Sequence, residues 1–219
     1  VVVDETADIP KAAEDILKGS WFDNNVLCIA EKTVFAVRSI AHQLIAEMQK
    51  HGAYLLKGPE VEAVTRLVVK DGHVVGDWVG KDGAIILRAA GINPPPGTEG
   101  AIMVVDFDHP LVKIEQMLPV LPIVIVEDFE EGLRLAVEAE QGFGHTGIIH
   151  SRDVERIARF GRALATTIIV ANAPSYASLG IEGNSNFAHT IASPTGEGIC
   201  TPRTFTRQHN VTIAGGLGM

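Results

Sequence analysis

Chemistry in this chain concentrates in two short blocks. Residues 22 to 32 (FDNNVLCIAEK) set Cys28 between the turn-forming Asp23-Asn24-Asn25 and a strand led by Glu31-Lys32. A thiol that follows a turn is presented at a strand edge, where Lys32 could stabilise the thiolate, the form that acts as nucleophile. Cysteine is also among the most often buried residues, so position alone leaves both readings open. Cys200, in a polar stretch after Gly198-Ile199, reads as buried. The second block, residues 142 to 147 (GFGHTG), carries His145 from a helix into a strand. Its flanking glycines let the backbone come close to a ligand. An imidazole there could take a proton near neutral pH; the alternative is a histidine that only hydrogen-bonds its own loop. Glu115, in KIEQMLPVLP (113 to 122), is a lone carboxylate before an apolar strand and by itself reads as a surface charge. His42 and His51 fall on the polar side of a helix, His109 precedes a proline, and His150 follows a strand, where it packs or caps. No set of His, Cys and carboxylates has zinc spacing, so no metal site is expected.

The elements that must position these residues alternate between strand and helix. Val1–Val3 is strand-like, and Asp8 caps a helix through Leu17, with Pro10 in its first turn and Gly19 beyond its end. Thr33–Val37 is a β-branched strand, followed by a helix capped by Ser39, with Ile40, Leu44, Ile45 and Met48 on its inner face and Gly52 as its stop. Ala101–Phe107 and Leu121–Val126 are apolar runs of buried-strand length. Asp128 opens a helix through Glu140, Ile148–Ile149 is a short strand, Ser151 caps a helix to about Ala165, and Thr166–Ala171 is a further strand. Such alternation predicts an α/β fold with three layers and a mainly parallel sheet. Residues 58 to 100 are less regular. Residues 172 to 202 are a long Gly/Ser/Asn/Thr/Pro-rich stretch of the kind usually tied to function. Thr204–Ile213 alternates in period two and reads as a terminal strand needing an edge elsewhere, such as another subunit. No internal repeat, Gly-rich dinucleotide fingerprint or P-loop is present.

Composition bounds the function. The chain has 219 residues, 46% hydrophobic, enough for one sizeable core or two small ones. A net charge of -9 argues against a nucleic-acid surface. No apolar run approaches the ~20 residues of a membrane span. Two distant cysteines make no disulfide framework and fit a reducing, cytoplasmic interior. The opening Val1-Val2-Val3-Asp4 lacks the basic region of a signal peptide. It also lacks an initiator Met and starts in mid-strand, so the chain reads as a piece of something longer.

Taken in order, VVVDETADIP (1 to 10), FDNNVLCIAEK (22 to 32), GHTGIIHS (144 to 151) and ASPTGEG (192 to 198) resemble the coenzyme A-acylating aldehyde dehydrogenases. The nearest likeness is to the propionaldehyde and acetaldehyde dehydrogenases of bacterial microcompartments and to the aldehyde dehydrogenase half of bifunctional alcohol dehydrogenases. The cysteine and Gly-His-Thr blocks, in this order and separation, carry the resemblance. It implies that Cys28 is the nucleophile, that His145 is the base for the coenzyme A thiol, and that the Cys28 backbone N–H holds the oxyanion with an Asn from elsewhere. It implies that Glu115 meets the nicotinamide ribose of NAD or NADP, with Met117 beside it where hydrolytic relatives have Phe. The expected partners are a short-chain aldehyde, coenzyme A, further copies of the chain in a homo-oligomer, and a microcompartment shell. The expected location is the cytoplasm, including a microcompartment lumen. Residues 1 to 202 would be the catalytic domain, with the nucleotide-binding domain upstream, and 203 to 219 the strand of an oligomerisation arm. The alternatives are the same fold kept as a binding or assembly module without activity, and an acyl-phosphate-reducing relative.

Overall fold

A computed structural model describes residues 1–183, 187–192 and 198–215. Most of the 192 to 198 block therefore lies outside the described residues, as do residues 216 to 219. The chain runs β1 (Val2–Val3), α1 (Ile9–Trp21), β2 (Val34–Val37), α2 (Arg38–Lys50), β3 (Tyr54–Leu56), α3 (Pro59–Val68), the hairpin β4 (Val69–Lys70) and β5 (His73–Val74), and α4 (Gly83–Ala89). It continues with β6 (Ala101–Val104), α5 (Pro110–Lys113), β7 (Val120–Val126), α6 (Phe129–Glu140), β8 (Thr146–His150), α7 (Val154–Leu164), β9 (Ile168–Ala171) and the pair β10 (Thr190–Ala192) and β11 (Gly198–Cys200).

Seven strands form one sheet in the order β3-β6-β7-β2-β1-β8-β9. Every neighbouring pair in it is parallel. Parallel strands must be covered on both faces, and the sequence supplies that cover. β2 is buried along its whole length and β7 nearly so. α1 packs on α2, and α6 packs on α7 and against β1 and β2. Since β1 leads to β2 on one side and β7 leads to β8 on the other, right-handed crossovers set these two helix pairs on opposite faces. The three-layer α/β fold expected from the alternation is the fold observed. Pro122 fits inside β7 because pairing with β2 begins only at Ile123, so the missing N–H breaks no ladder bond on that side.

Boundaries differ where tertiary contacts overrule local signals. α1 runs past Gly19 to Trp21, and α2 starts at Arg38, with Ser39 inside it rather than capping it. α7 is capped by Asp153, whose carboxylate accepts from the Glu155 and Arg156 N–H groups, while the Ser151 hydroxyl accepts from the Asp153 N–H. The expected terminal strand over 204 to 213 is not formed within this chain. Pro202–Phe205 is a 3-10 turn and residues 206 to 213 pair with no strand among the described residues. An alternating segment becomes a strand only where an edge accepts it.

One buried carboxylate fastens the Cys28 block to the fold. Glu31 is 1% exposed. It accepts a 2.9 Å bond from the Ser175 N–H and a 2.8 Å bond from the Ser175 hydroxyl. This ties the block to the turn Ser175–Leu179, in the long polar stretch after β9. A Cβ on Gly19 would lie 2.1 Å from Glu31 Oε2, so α1 meets the same carboxylate through the one residue small enough. Gly19→Ala is therefore expected to destabilise the protein by about 1–3 kcal/mol, read as a lower urea midpoint; an unchanged midpoint would show that the carboxylate moves freely.

Burial pushes the Glu31 carboxyl up to about 7, against the pull of its two Ser175 bonds. A carboxyl raised on folding contributes stability that is full below its unfolded value, near 4.5, and is lost as pH rises to about 7. The stability difference between wild type and Glu31→Gln should shift against the wild type across that window by on the order of 3 kcal/mol. A difference that stays flat from pH 4.5 to 7 would contradict this.

Candidate active site

The turn that carries Cys28 is built from backbone geometry that most residues avoid. Asp23, Asn24 and Asn25 follow α1 with φ of 50°, 52° and 68°, and Asn and Asp are the side chains that tolerate this region. Each amide has a bond to keep it there. The Asn24 amide donates to the Gly80 carbonyl at 3.1 Å and to Asp82 Oδ1 at 2.9 Å. The buried Asn25 amide donates to the Ser20 carbonyl at 2.7 Å and to the Glu31 carbonyl at 3.0 Å, closing the loop on itself. Ile29 packs beneath with Ile148, Ile168, Tyr176 and Leu179. Cys28 is left exposed, whereas Cys200 is buried. The expected strand edge lies further on: Cys28 sits in the turn region, and β2 starts at Val34.

A cleft of about 590 Å³ opens in front of this turn. It is lined by Cys28, Lys32, Glu115, Glu140 and His145 among apolar walls that include Phe35 and Phe160. Three separated segments thus deliver three residues that the sequence singles out. Each of these precedes a strand of the parallel sheet: Cys28 before β2, Glu115 before β7 and His145 before β8. The cleft therefore lies along the amino ends of the strands, opposite to the carboxyl-end crevice usual in open α/β sheets.

His145 is held from both sides. Its N–H donates to Glu140 Oε1 at 3.0 Å, and its Nδ1 lies 2.7 Å from the Thr146 hydroxyl. That contact engages Nδ1 and leaves Nε2 as the ring nitrogen available to a proton donor in the cleft. Gly142 and Gly144 are left-handed, at φ 79° and 67°, so they shape the entry to the strand. Glu115 is exposed at the cleft. Met117 is not among the lining residues. It turns left-handed at φ 52°, and its carbonyl accepts from the Gly80 N–H at 3.0 Å. His150 is buried, with burial drawing its pKa down to about 3, and it packs as expected. Among the described residues no group of His, Cys, Asp and Glu could hold a metal ion, and no helix is long and apolar enough to cross a membrane.

Three residues at the site escaped the sequence reading: Asn25, Glu31 and Gln116. Gln116 is buried, and its amide donates to the Lys32 carbonyl at 2.5 Å and to the Leu111 carbonyl at 2.7 Å, joining the Glu115 segment to the Cys28 block. The Asp-Asn-Asn run was a usable signal for Asn25. Glu31 and Gln116 have no local signal, since the contacts that tie them to other segments, Ser175 and Lys32, lie 144 and 84 residues away.

A family model described as the aldehyde dehydrogenase family matches residues 97–184. The propanal dehydrogenase (CoA-propanoylating) of Citrobacter freundii is 42% identical over 219 residues, which are 100% of this chain and 48% of that protein. The solved propionaldehyde dehydrogenase from the Clostridium phytofermentans fucose utilisation bacterial microcompartment superposes with a TM-score of 0.91 at 43% identity, covering 94% of this chain and 48% of that one. Solved variants of that enzyme replace one cysteine and one histidine by alanine, at positions 118 residues apart; Cys28 and His145 are 117 apart. The propionaldehyde dehydrogenase of Rhodopseudomonas palustris, solved with bound CoA and an acylated cysteine, matches at TM-score 0.91 and 42% identity, over 94% of this chain and 47% of that one. The chain spans about half the length of the curated relatives it matches. With 42% identity along its whole length and so close a backbone match, the chain belongs to the aldehyde dehydrogenase family, beside its coenzyme A-acylating members.

Proposed function

We propose that this chain is the catalytic part of an oxidoreductase that converts a short-chain aldehyde and coenzyme A to acyl-CoA through a thioester on Cys28. The observation that carries the reading is the exposure of Cys28 at the same cleft as His145 and Glu115. Sγ of Cys28, as thiolate, adds to the aldehyde carbon to give a thiohemiacetal, whose oxyanion the Cys28 N–H and an Asn from elsewhere in the whole protein would stabilise. Loss of hydride from that carbon leaves an acyl group on sulfur. A nicotinamide dinucleotide, NAD or NADP, supplies the hydride acceptor when bound, and the exposed Glu115 carboxylate fits a contact to its ribose hydroxyls. His145 then takes the proton of the coenzyme A thiol through Nε2, and the thiolate displaces Cys28. The apolar walls suit an alkyl tail better than a charged one.

By this reading residues 1 to 202 are the catalytic domain and a nucleotide-binding domain precedes them in the whole protein. Residues 203 to 219 form an oligomerisation arm, which the exposure of Phe205, Val211 and Ile213 supports. Met117 keeps a place near the cofactor only if that upstream domain folds over it. A microcompartment lumen, the setting named for the Clostridium relative, is the proposed location, with the shell as partner.

Two substitutions in the full-length enzyme test the reading. Cys28→Ala should abolish acyl-CoA formation with the fold intact, and iodoacetamide should label Cys28 ahead of the buried Cys200; retained turnover would remove Cys28 from the chemistry. His145→Ala should still give a burst of NADH in a single turnover without coenzyme A. Its steady turnover should fall by on the order of 10²-fold and partly recover at high pH, where free thiolate is abundant. Burst and turnover falling together, with no recovery, would return His145 to a structural role.

A further inference from the structure

Lys32 lines the cleft, yet the reaction as derived gives it no step. Its ammonium is fully committed. Nζ donates to the Asn25 carbonyl at 2.8 Å, to Asn25 Oδ1 at 2.6 Å and to the Leu27 carbonyl at 3.2 Å. An ammonium has three protons, and three acceptors take them. All three belong to the turn that ends at Cys28, and one belongs to the residue immediately before it. On its other side, the Lys32 carbonyl is held by Gln116, so a single residue joins the Cys28 turn to the segment bearing Glu115.

The charge matters as well as the bonds. α6 and α7 both end at this edge, with Glu140 and Leu164 lining the cleft. Helix carboxyl ends present partial negative charge, and Glu115 and Glu140 add to it. The other lysine lining the cleft, Lys113, is paired with Asp108 at 2.6 Å and lies over the Phe107 ring. Among the described residues Lys32 has no such carboxylate partner at bonding distance. Burial draws its pKa down to about 8, with the charges of Glu115, Cys28 and Glu31 opposing that fall.

We propose that Lys32 is a positioning residue for the nucleophile. By holding the Asn25 and Leu27 acceptors it sets Cys28 at the mouth of the cleft, and it supplies the positive charge that the helix ends there cannot. This rests on the reading of Cys28 as nucleophile, but its test does not require that reading to hold. Alkylation reports the reactivity of Cys28 whatever reaction the enzyme performs, whereas Cys28→Ala turnover tests the reading itself.

In the full-length enzyme, Lys32→Met keeps the aliphatic stem and removes donors and charge. It should slow iodoacetamide labelling of Cys28 at pH 7.5 by about tenfold or more, since the turn that presents the sulfur loses its three clamping bonds and the charge beside it. The NADH burst should fall in proportion, KM for aldehyde should change far less than kcat, and Lys32→Arg should recover part of the labelling rate. Cys200 must stay unlabelled, as a check that the fold holds. Labelling and burst within twofold of the parent would overturn the proposal. Competitive reductive methylation of the unsubstituted enzyme by formaldehyde and dimethylamine–borane, read by mass spectrometry, decides the case if Lys32→Met unfolds. A free amine with so low a pKa would be among the most reactive, whereas a clamped one should react at least about tenfold more slowly than exposed Lys57 and Lys81. Rapid methylation of Lys32 would overturn the clamp.

Discussion

A reversal of the chain through three consecutive left-handed residues is the constraint on which the site depends. Asp23, Asn24 and Asn25 turn the end of α1 back toward β2, and the thiol reaches the cleft only because they do. Left-handed backbone costs an ordinary residue roughly 1–2 kcal/mol. Such a turn persists only where its surroundings leave no better option. Here the surroundings are specific: Gly80 and Asp82 hold Asn24, Ser20 and Glu31 hold the Asn25 amide, and Lys32 holds the Asn25 oxygens. The polar groups of a tight turn, which water would otherwise satisfy, are satisfied by the protein, so the turn keeps one shape.

Placing the chemistry at the amino ends of parallel strands has an electrostatic consequence. At the opposite edge, helix amino ends would offer N–H groups and positive potential to an anion. At this edge the helices arrive with their carboxyl ends, so a thiolate or an oxyanion draws no help from them. What favours negative charge here must come from side chains and from the N–H groups of the turn itself. With Cys28 as the proposed nucleophile, a lysine half-buried beside an apolar cleft, at the cost of its own desolvation, meets that requirement.

Much of the architecture could be read from local pattern. The alternation of apolar strands with amphipathic helices named the layers, and the cap at Asp128 and end at Glu140 of α6 agree with the structure to the residue. The failures share a cause. Residues 58 to 100 seemed irregular because α3 and α4 are short and sit beside one small hairpin, and just before them the three-residue β3 has no period to detect; it is defined by its pairing with β6. Gly19 looked like a helix stop, but it is a gap left for Glu31. The terminal alternation forms no strand here, because a ladder needs a second strand that this segment does not find among the described residues, and its pattern asks for an edge elsewhere. In each case the deciding contact is distant in sequence.

The candidate site divides in the same way. Its exposed cysteine and its histidine stand in blocks recognisable as text, whereas the residues that hold them do not. Glu31 and Lys32 show why. They are adjacent and of opposite charge, and although Lys32 reads from the sequence as a partner for the thiolate, nothing local shows what either one bonds. In the fold they are spent on opposite sides of the segment: Glu31 reaches back to Ser175 and the small face of α1, and Lys32 reaches forward to the turn and the cleft. Because the two side chains reach different partners, one dipeptide fastens the Cys28 block both to the layer behind it and to its own turn in front. Neither charge could be moved by one position without burying it against the wrong partners, which is costly for any ion out of water. The two charges therefore fix the register of the segment leading into β2, and through that register they fix the position of Cys28.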